Sequence, residues 1–224
     1  MDVPVSLNRI AHERLRGDVL AGHWQPGQKL LMHQLRHYYD MGASPLREAL
    51  NRLATEGLVV HNDQRGFVVA QASIEQLRDL VRTRIELESL ALGMSFARRS
   101  AAWEEELVLA FHRLSRAPRS VQTDSYEENP AWEQLHRAFH FALLSACDSP
   151  LLLGFCGQLY DQAYRYRQLA ARKAYKRRNE LDEHQALFDA AMGNRLEEAR
   201  ALMAAHYEHT ARIFADGART PGVD

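Results

Sequence analysis

Only two cysteines, Cys147 and Cys156, occur in 224 residues. That is too few for a disulfide framework or a thiolate zinc site. Lysine is nearly absent: 25 of the 28 basic residues are arginine. An excess of either charge is lacking too, with 28 Lys/Arg against 29 Asp/Glu and a formal net charge of −1. A division near residue 72 leaves 8 basic against 7 acidic residues in the first part and 20 against 22 in the remainder. Bulk electrostatics therefore do not mark a nucleic-acid binder. No apolar run approaches the ~18 residues of a membrane span. Met1-Asp2-Val3-Pro4 has neither the basic start nor the apolar core of a signal peptide. These absences argue against export and membrane roles and lead us to expect a cytoplasmic chain. A hydrophobic share of 46% and a mean hydropathy of −0.41 suit one or two folded domains.

Two residue types are abundant. Arginine suits bidentate pairing with carboxylates and phosphates. Eleven histidines suggest metal ligation or pH sensitivity, with ordinary surface histidines as the alternative.

Along the first 72 residues, Ile10, Leu15, Val19 and Leu20 recur near helical spacing and predict a helix over 8–22, closed by Gly22 and Pro26-Gly27. A second helix is expected over 33–39, followed by the turn Asp40-Met41-Gly42. A third is expected from Ser44, with Ser as N-cap and Pro45 in the first helical position, ending at Gly57. Two β-branched stretches, Leu58-Val59-Val60 and Phe67-Val68-Val69, flank a polar turn and predict a hairpin. Three helices and a hairpin outline a winged helix-turn-helix. From residue 73 to 224 the pattern is helical almost throughout, punctuated by Pro118, Pro130 and Pro150. Six helices are expected, over 74–100, 102–116, 130–147, 151–172, 177–192 and 195–215. The arginine-rich run from Arg172 to Arg178 is read as a solvated helix end and turn.

Several segments carry a family resemblance. They are Val19-Leu20-Ala21-Gly22, Pro26-Gly27-Gln28-Lys29-Leu30, Ser44-Pro45-Leu46-Arg47-Glu48-Ala49-Leu50-Asn51-Arg52-Leu53, Glu56-Gly57-Leu58-Val59 and Arg65-Gly66-Phe67-Val68-Val69. In this order they resemble the GntR family of bacterial transcription regulators. The helical remainder resembles the FCD ligand-binding domain of the FadR-type subfamily, in its shorter, VanR-like form. The implied fold is mainly α: a winged helix-turn-helix over 1–72 with a small β-hairpin wing, and an all-α six-helix FCD bundle over 73–224. The implied protein is a homodimer that binds double-stranded operator DNA of twofold symmetry and responds to a small-molecule carboxylate effector.

A helix-turn-helix lays its second helix in the major groove with the helix N-terminus toward bases and backbone. That end carries Ser44 and Arg47, a hydroxyl suited to phosphate and a guanidinium suited to guanine or phosphate. The resemblance adds His33 and the wing residues Arg65 and Gly66, and Arg52 is read as solvated or phosphate-facing. One departure is Ala43, where the family usually has an arginine.

In the second part, Leu77, Val81, Arg84, Glu88 and Ala91 share one helical face, so two charges interrupt an apolar stripe. They are expected to pair with each other or within the bundle. The resemblance implies instead an arginine near the effector pocket, and both readings stay open for Arg84. Arg165, in the run Tyr164-Arg165-Tyr166-Arg167, is a second effector candidate. Four histidines form the sharper constellation: His136 and His140 at i,i+4, with His184 and His206 each on an apolar face of its own helix. Two ligands from one helix and one from each of two others is how helical bundles build metal sites. The resemblance implies a divalent metal on an Asp-x-x-x-His pair and two later histidines. His136 replaces the Asp here, which favours Zn or Ni over harder ions. A metal-dependent enzyme acting on a small acid, or a regulator with a purely structural metal, are the alternatives. Against the enzyme stand the absence of a general-base motif and an otherwise unexplained winged helix.

Overall fold

The computed structural model describes residues 6–62, 66–175 and 178–219. The chain divides into two compact units, 1–73 and 74–224.

The first unit holds α1 (Leu7–Leu20), α2 (Met32–Tyr39), α3 (Ala43–Thr55), β1 (Val59–Asn62) and β2 (Gly66–Val69). Ala11 and Leu15 of α1, Leu35 of α2, and Leu46, Leu50 and Leu53 of α3 are fully buried and form one core. Helix α3 packs on both other helices and on β1. The strands pair antiparallel, from Val59 opposite Val69 to Asn62 opposite Gly66. Residues 28–30 bond along the other edge of β2, through Leu30 N–H to the Phe67 carbonyl (2.8 Å) and Val69 N–H to the Gln28 carbonyl (2.9 Å).

The turn between α2 and α3 is made by Asp40 in the left-handed region, at φ 51°. Gly57 closes α3 at φ 71°, with Leu58 N–H bonded back to the Leu53 carbonyl at 3.0 Å. A side chain with a Cβ would be strained there. One detail differs from expectation. Gly42, not Ser44, is the N-cap of α3, and no side chain caps it. Proline needs no N–H partner anywhere in the first turn, so Pro45 fits the third position as well as the first and the helix starts one residue earlier.

The second unit is a bundle of α4 (Ile74–Ala97), α5 (Ala101–Arg116), α6 (Pro130–Leu144), α7 (Pro150–Ala174), α8 (Glu180–Met192) and α9 (Leu196–Arg219). Pro130 and Pro150 each open a helix, behind the side-chain caps Asn129 and Ser149. The helix expected over 130–147 stops at Leu144. A 3-10 turn over Ser145–Cys147 follows, ending in left-handed Asp148 at φ 55°. Helix α4 packs on α6, α7 and α9, while α5 packs on α6 and α8. Among the described residues no helix is long and apolar enough to cross a membrane.

Candidate functional site

The i,i+4 spacing on α6 stacks His136 over His140, and α8 and α9 bring His184 and His206 against them. One nitrogen from each ring lies within 4.8 Å of the other three. All four residues are at most 5% exposed. The sequence placed His136 and His140 at the border of an apolar stripe; instead both are buried within it.

Three of the rings are held from behind. The Tyr160 hydroxyl lies 2.7 Å from Nδ1 of His136, and the Tyr207 hydroxyl 3.3 Å from Nδ1 of His140. Nδ1–H of His206 donates to Glu183 Oε2 at 2.7 Å. Each contact leaves Nε2 as the inward atom, the second-shell arrangement that fixes tautomer and ring orientation in metal sites. The Nε2 atoms of His136 and His140 are 3.1 Å apart. Two imidazoles about 2.0–2.1 Å from one tetrahedral ion have nitrogens about 3.3 Å apart. Neither nitrogen of His184 has a partner. An orphaned buried imidazole among three oriented ones is what a bound ion would satisfy, so the residues fit a divalent metal.

Electrostatics agree with that fit. Burial pushes all four imidazoles below their ordinary pKa of 6.5; neighbouring arginines add to the shift, and Glu183 opposes it at His184 and His206. The rings are therefore neutral and offer lone pairs. Around them stand four arginines and four glutamates. Arg84 Nε donates to Glu88 at 2.8 Å, and its guanidinium lies 3.9 Å from the centre of the Tyr207 ring. Tyr207 donates to the other Glu88 oxygen at 2.5 Å. Arg119 bridges Glu133 (2.9 Å) and Glu180 (2.8 Å). Arg167 reaches Glu133 at 3.4 Å, and Arg178 reaches Glu183 at 2.6 Å. Burial alone would lift the carboxyl pKa of Glu183, but hydrogen bonds from His206 and Arg178 hold it far below its usual range.

A cavity of about 10 Å³ touches His136 and His206 and is closed by Arg84, Arg167, Tyr207 and Thr210. A larger pocket of about 290 Å³ touches His184. The two effector candidates lie apart. Arg84 lines the small cavity as the buried partner of Glu88. Arg165 lines neither cavity and lies beside the Tyr166 ring at 4.8 Å. Arg167 is the arginine that faces the histidines, and helical spacing from buried Tyr160 and Ala163 signals it. Arg178 corrects another expectation: the run expected to be solvated ends in a side chain only 6% exposed, bonded to Glu183 and Thr210. Glu183, Tyr160 and Tyr207 had no sequence signal as partners, because each meets its histidine from a distant element.

In the first unit His33, Ser44, Arg47 and Arg52 are exposed and Gly66 is half-buried at φ 71°. Arg65 lies outside the described residues. Arg52 is 3.6 Å from Glu56. No ion pair of Arg47 is found among the described residues, while Glu48 accepts from Asn8 at 2.5 Å. His33 lines an open groove with Arg36, His37 and Gly42, so α2 adds two basic residues that the sequence did not single out.

Residues 8–69 match the family described as bacterial regulatory proteins, gntR family, and residues 79–209 match the FCD domain. The chain belongs to the GntR family. This GntR regulator is 37% identical over 208 residues to the uncharacterized HTH-type transcriptional regulator BphR of Paraburkholderia xenovorans, covering 93% of this chain and 85% of that protein. It is 33% identical to the HTH-type transcriptional repressor GlaR of Escherichia coli, over 86% of this chain and 88% of the relative. Its fold resembles E. coli McbR/YncC with a TM-score of 0.75 at 20% identity, across 96% of this chain and 100% of that one. It is a DNA-binding transcriptional regulator; these relatives are named regulators, not enzymes.

Proposed function

We propose that the regulator holds a divalent ion, Zn or Ni, on His136, His140, His184 and His206, and that a small carboxylate metabolite bound in the helical unit controls operator affinity. One observation carries this reading. The four arginines and four glutamates around the histidines cancel, and the imidazoles are neutral. A divalent ion added there keeps two positive charges with no protein carboxylate in its shell. Uncompensated charge in a buried site is costly, and an anionic metabolite supplies the compensation. Bound metal would polarise and hold an oxygen ligand. Arg84 contributes from the wall of the small cavity, and Arg165 is disfavoured by its place. The ligand set is all nitrogen, which suits Zn or Ni better than Mg or Ca.

On DNA, the uncapped start of α3 offers backbone N–H groups to phosphate, with Ser44 beside them. Arg47 reads a base, His33 and Arg52 meet backbone, and the wing at Arg65-Gly66 enters the minor groove. The protein binds as a homodimer to a site of twofold symmetry. GlaR is named a repressor, and effector-relieved repression is the mode we infer here.

The test is binding-site selection followed by titration. Selected sites should be palindromic, and binding should weaken as salt rises because phosphate contacts release counterions. Arg47→Ala should cost roughly 1–3 kcal/mol on the selected site and relax specificity at one position. Unchanged affinity would reduce Arg47 to a surface residue. Operator affinity that is the same with and without metal and a panel of carboxylates would leave the ion purely structural and end the effector reading.

A further inference from the structure

The histidine cluster is asymmetric in its support. Tyr160, Tyr207 and Glu183 hold the outer nitrogens of His136, His140 and His206, but neither nitrogen of His184 has a partner, although the residue is 1% exposed. An ion takes one of the two. A ligating imidazole nearly always donates its other N–H to an oxygen. The protein supplies none at His184.

His184 alone among the four lines the pocket of about 290 Å³. Leu114, Ala171, Ala174 and Ile213 form apolar parts of its wall, and Arg119, Arg178 and Glu180 polar parts. The cavity on the other side, beside His136 and His206, has about 10 Å³, room for about one water. The body of a metabolite has space only on the His184 side.

We propose that this pocket takes a monocarboxylate with an apolar body, whose carboxylate accepts the free ring N–H of His184 and so reaches the ion through the histidine and not by coordination. The ligand completes a carboxylate–histidine–metal triad. It makes His184 a more basic, better-oriented ligand, and its charge offsets the ion's at second-shell distance. The guanidiniums of Arg119 and Arg178 are already engaged by Glu133, Glu180 and Glu183, which leaves the His184 N–H as the unclaimed donor. Coupling between ion and acid is then reciprocal: each tightens the other by the same factor. This inference rests on the ion and carboxylate readings above and adds where and how the acid is held.

The test uses full-length protein with and without Co²⁺, calorimetry, and cyclohexanecarboxylate and acetate as probes. Cyclohexanecarboxylate should bind about tenfold or more tighter than acetate, and about tenfold or more tighter with Co²⁺ than without. The visible bands of bound Co²⁺ should keep their four-coordinate intensity when the acid is added. Ala171→Trp fills the pocket and should abolish acid binding at unchanged cobalt content. Leu181→Trp, at a lining position 42% exposed, serves if the first variant does not fold. A folded pocket variant that binds the acid like wild type, or a loss of band intensity signalling five-coordination, overturns this placement while the effector reading stands. Failure of both acids to bind wild type in either state overturns the carboxylate reading and this inference with it.

Discussion

Stripping the ion with a chelator is expected to lower the melting temperature of the helical unit sharply, by about 8–16 °C. The magnitude follows from linkage: an ion at about 1,000 times its Kd stabilises the folded state by about 4 kcal/mol. For a unit of this size each kcal/mol moves Tm by about 2–4 °C. Three helices would lose their common tie, yet Tyr160, Tyr207 and Glu183 remain to hold three of the rings, so the apo bundle should stay folded. His140→Ala and His206→Ala should melt near the apo temperature and ignore the chelator. The effect of pH has a definite sign. Burial holds all four folded-state imidazoles below 6.5, so as pH falls through 6.5 the unfolded chain takes up protons that the folded one refuses. Stability is then present above that value and lost below it, and the metal form converges on the apo form as protons displace the ion. A chelator that leaves Tm unchanged, with no ion found by elemental analysis after metal loading, would sink the proposal.

The histidines were legible in the sequence because their signals are local or fixed in spacing: an i,i+4 pair on α6, and His184 and His206 each within its own amphipathic helix. Helix starts were legible for the same reason, since Pro130 and Pro150 sit behind capping residues. What surrounds the histidines was not. Tyr160 lies 24 residues from His136, and Tyr207 lies 67 from His140. Nothing local in either segment points to the other. Arg178 illustrates the limit well. Within a run of basic residues its composition reads as a solvated turn, but in the fold it closes on Glu183 and Thr210. The choice between Arg165 and Arg167 was open to closer reading. Tyr160, Ala163, Arg167 and Ala170 follow one helical face, and all four are buried. Alternation of Tyr and Arg drew attention to chemistry when periodicity held the answer. Pairing of Arg84 with Glu88 was legible too, since two charges in one apolar stripe four residues apart have few other partners.

That pair gives the other large effect. Glu88→Gln is expected to destabilise the helical unit by roughly 3–5 kcal/mol, because it leaves a guanidinium buried without its counter-charge. Arg84 is only 3% exposed. Burial would lower its pKa, but the carboxylate of Glu88, with Tyr207 beside it, more than offsets this and keeps it charged. Gln retains an acceptor for Tyr207, so the loss reports the missing charge and not a missing hydrogen bond. Arg84→Met in the same chain should then recover most of the stability, since removing both charges removes the desolvation cost of each. Urea unfolding of the two single variants and the double variant measures the coupling directly. The cycle also decides what Arg84 is for. If Arg84 is a positioning residue that steadies Tyr207, and through it His140, the double variant will be stable but bind metal more weakly. A stable double variant with normal metal affinity and a lost carboxylate response would instead assign Arg84 to the metabolite. Additive single effects, with no recovery in the double variant, would contradict the buried ion pair itself.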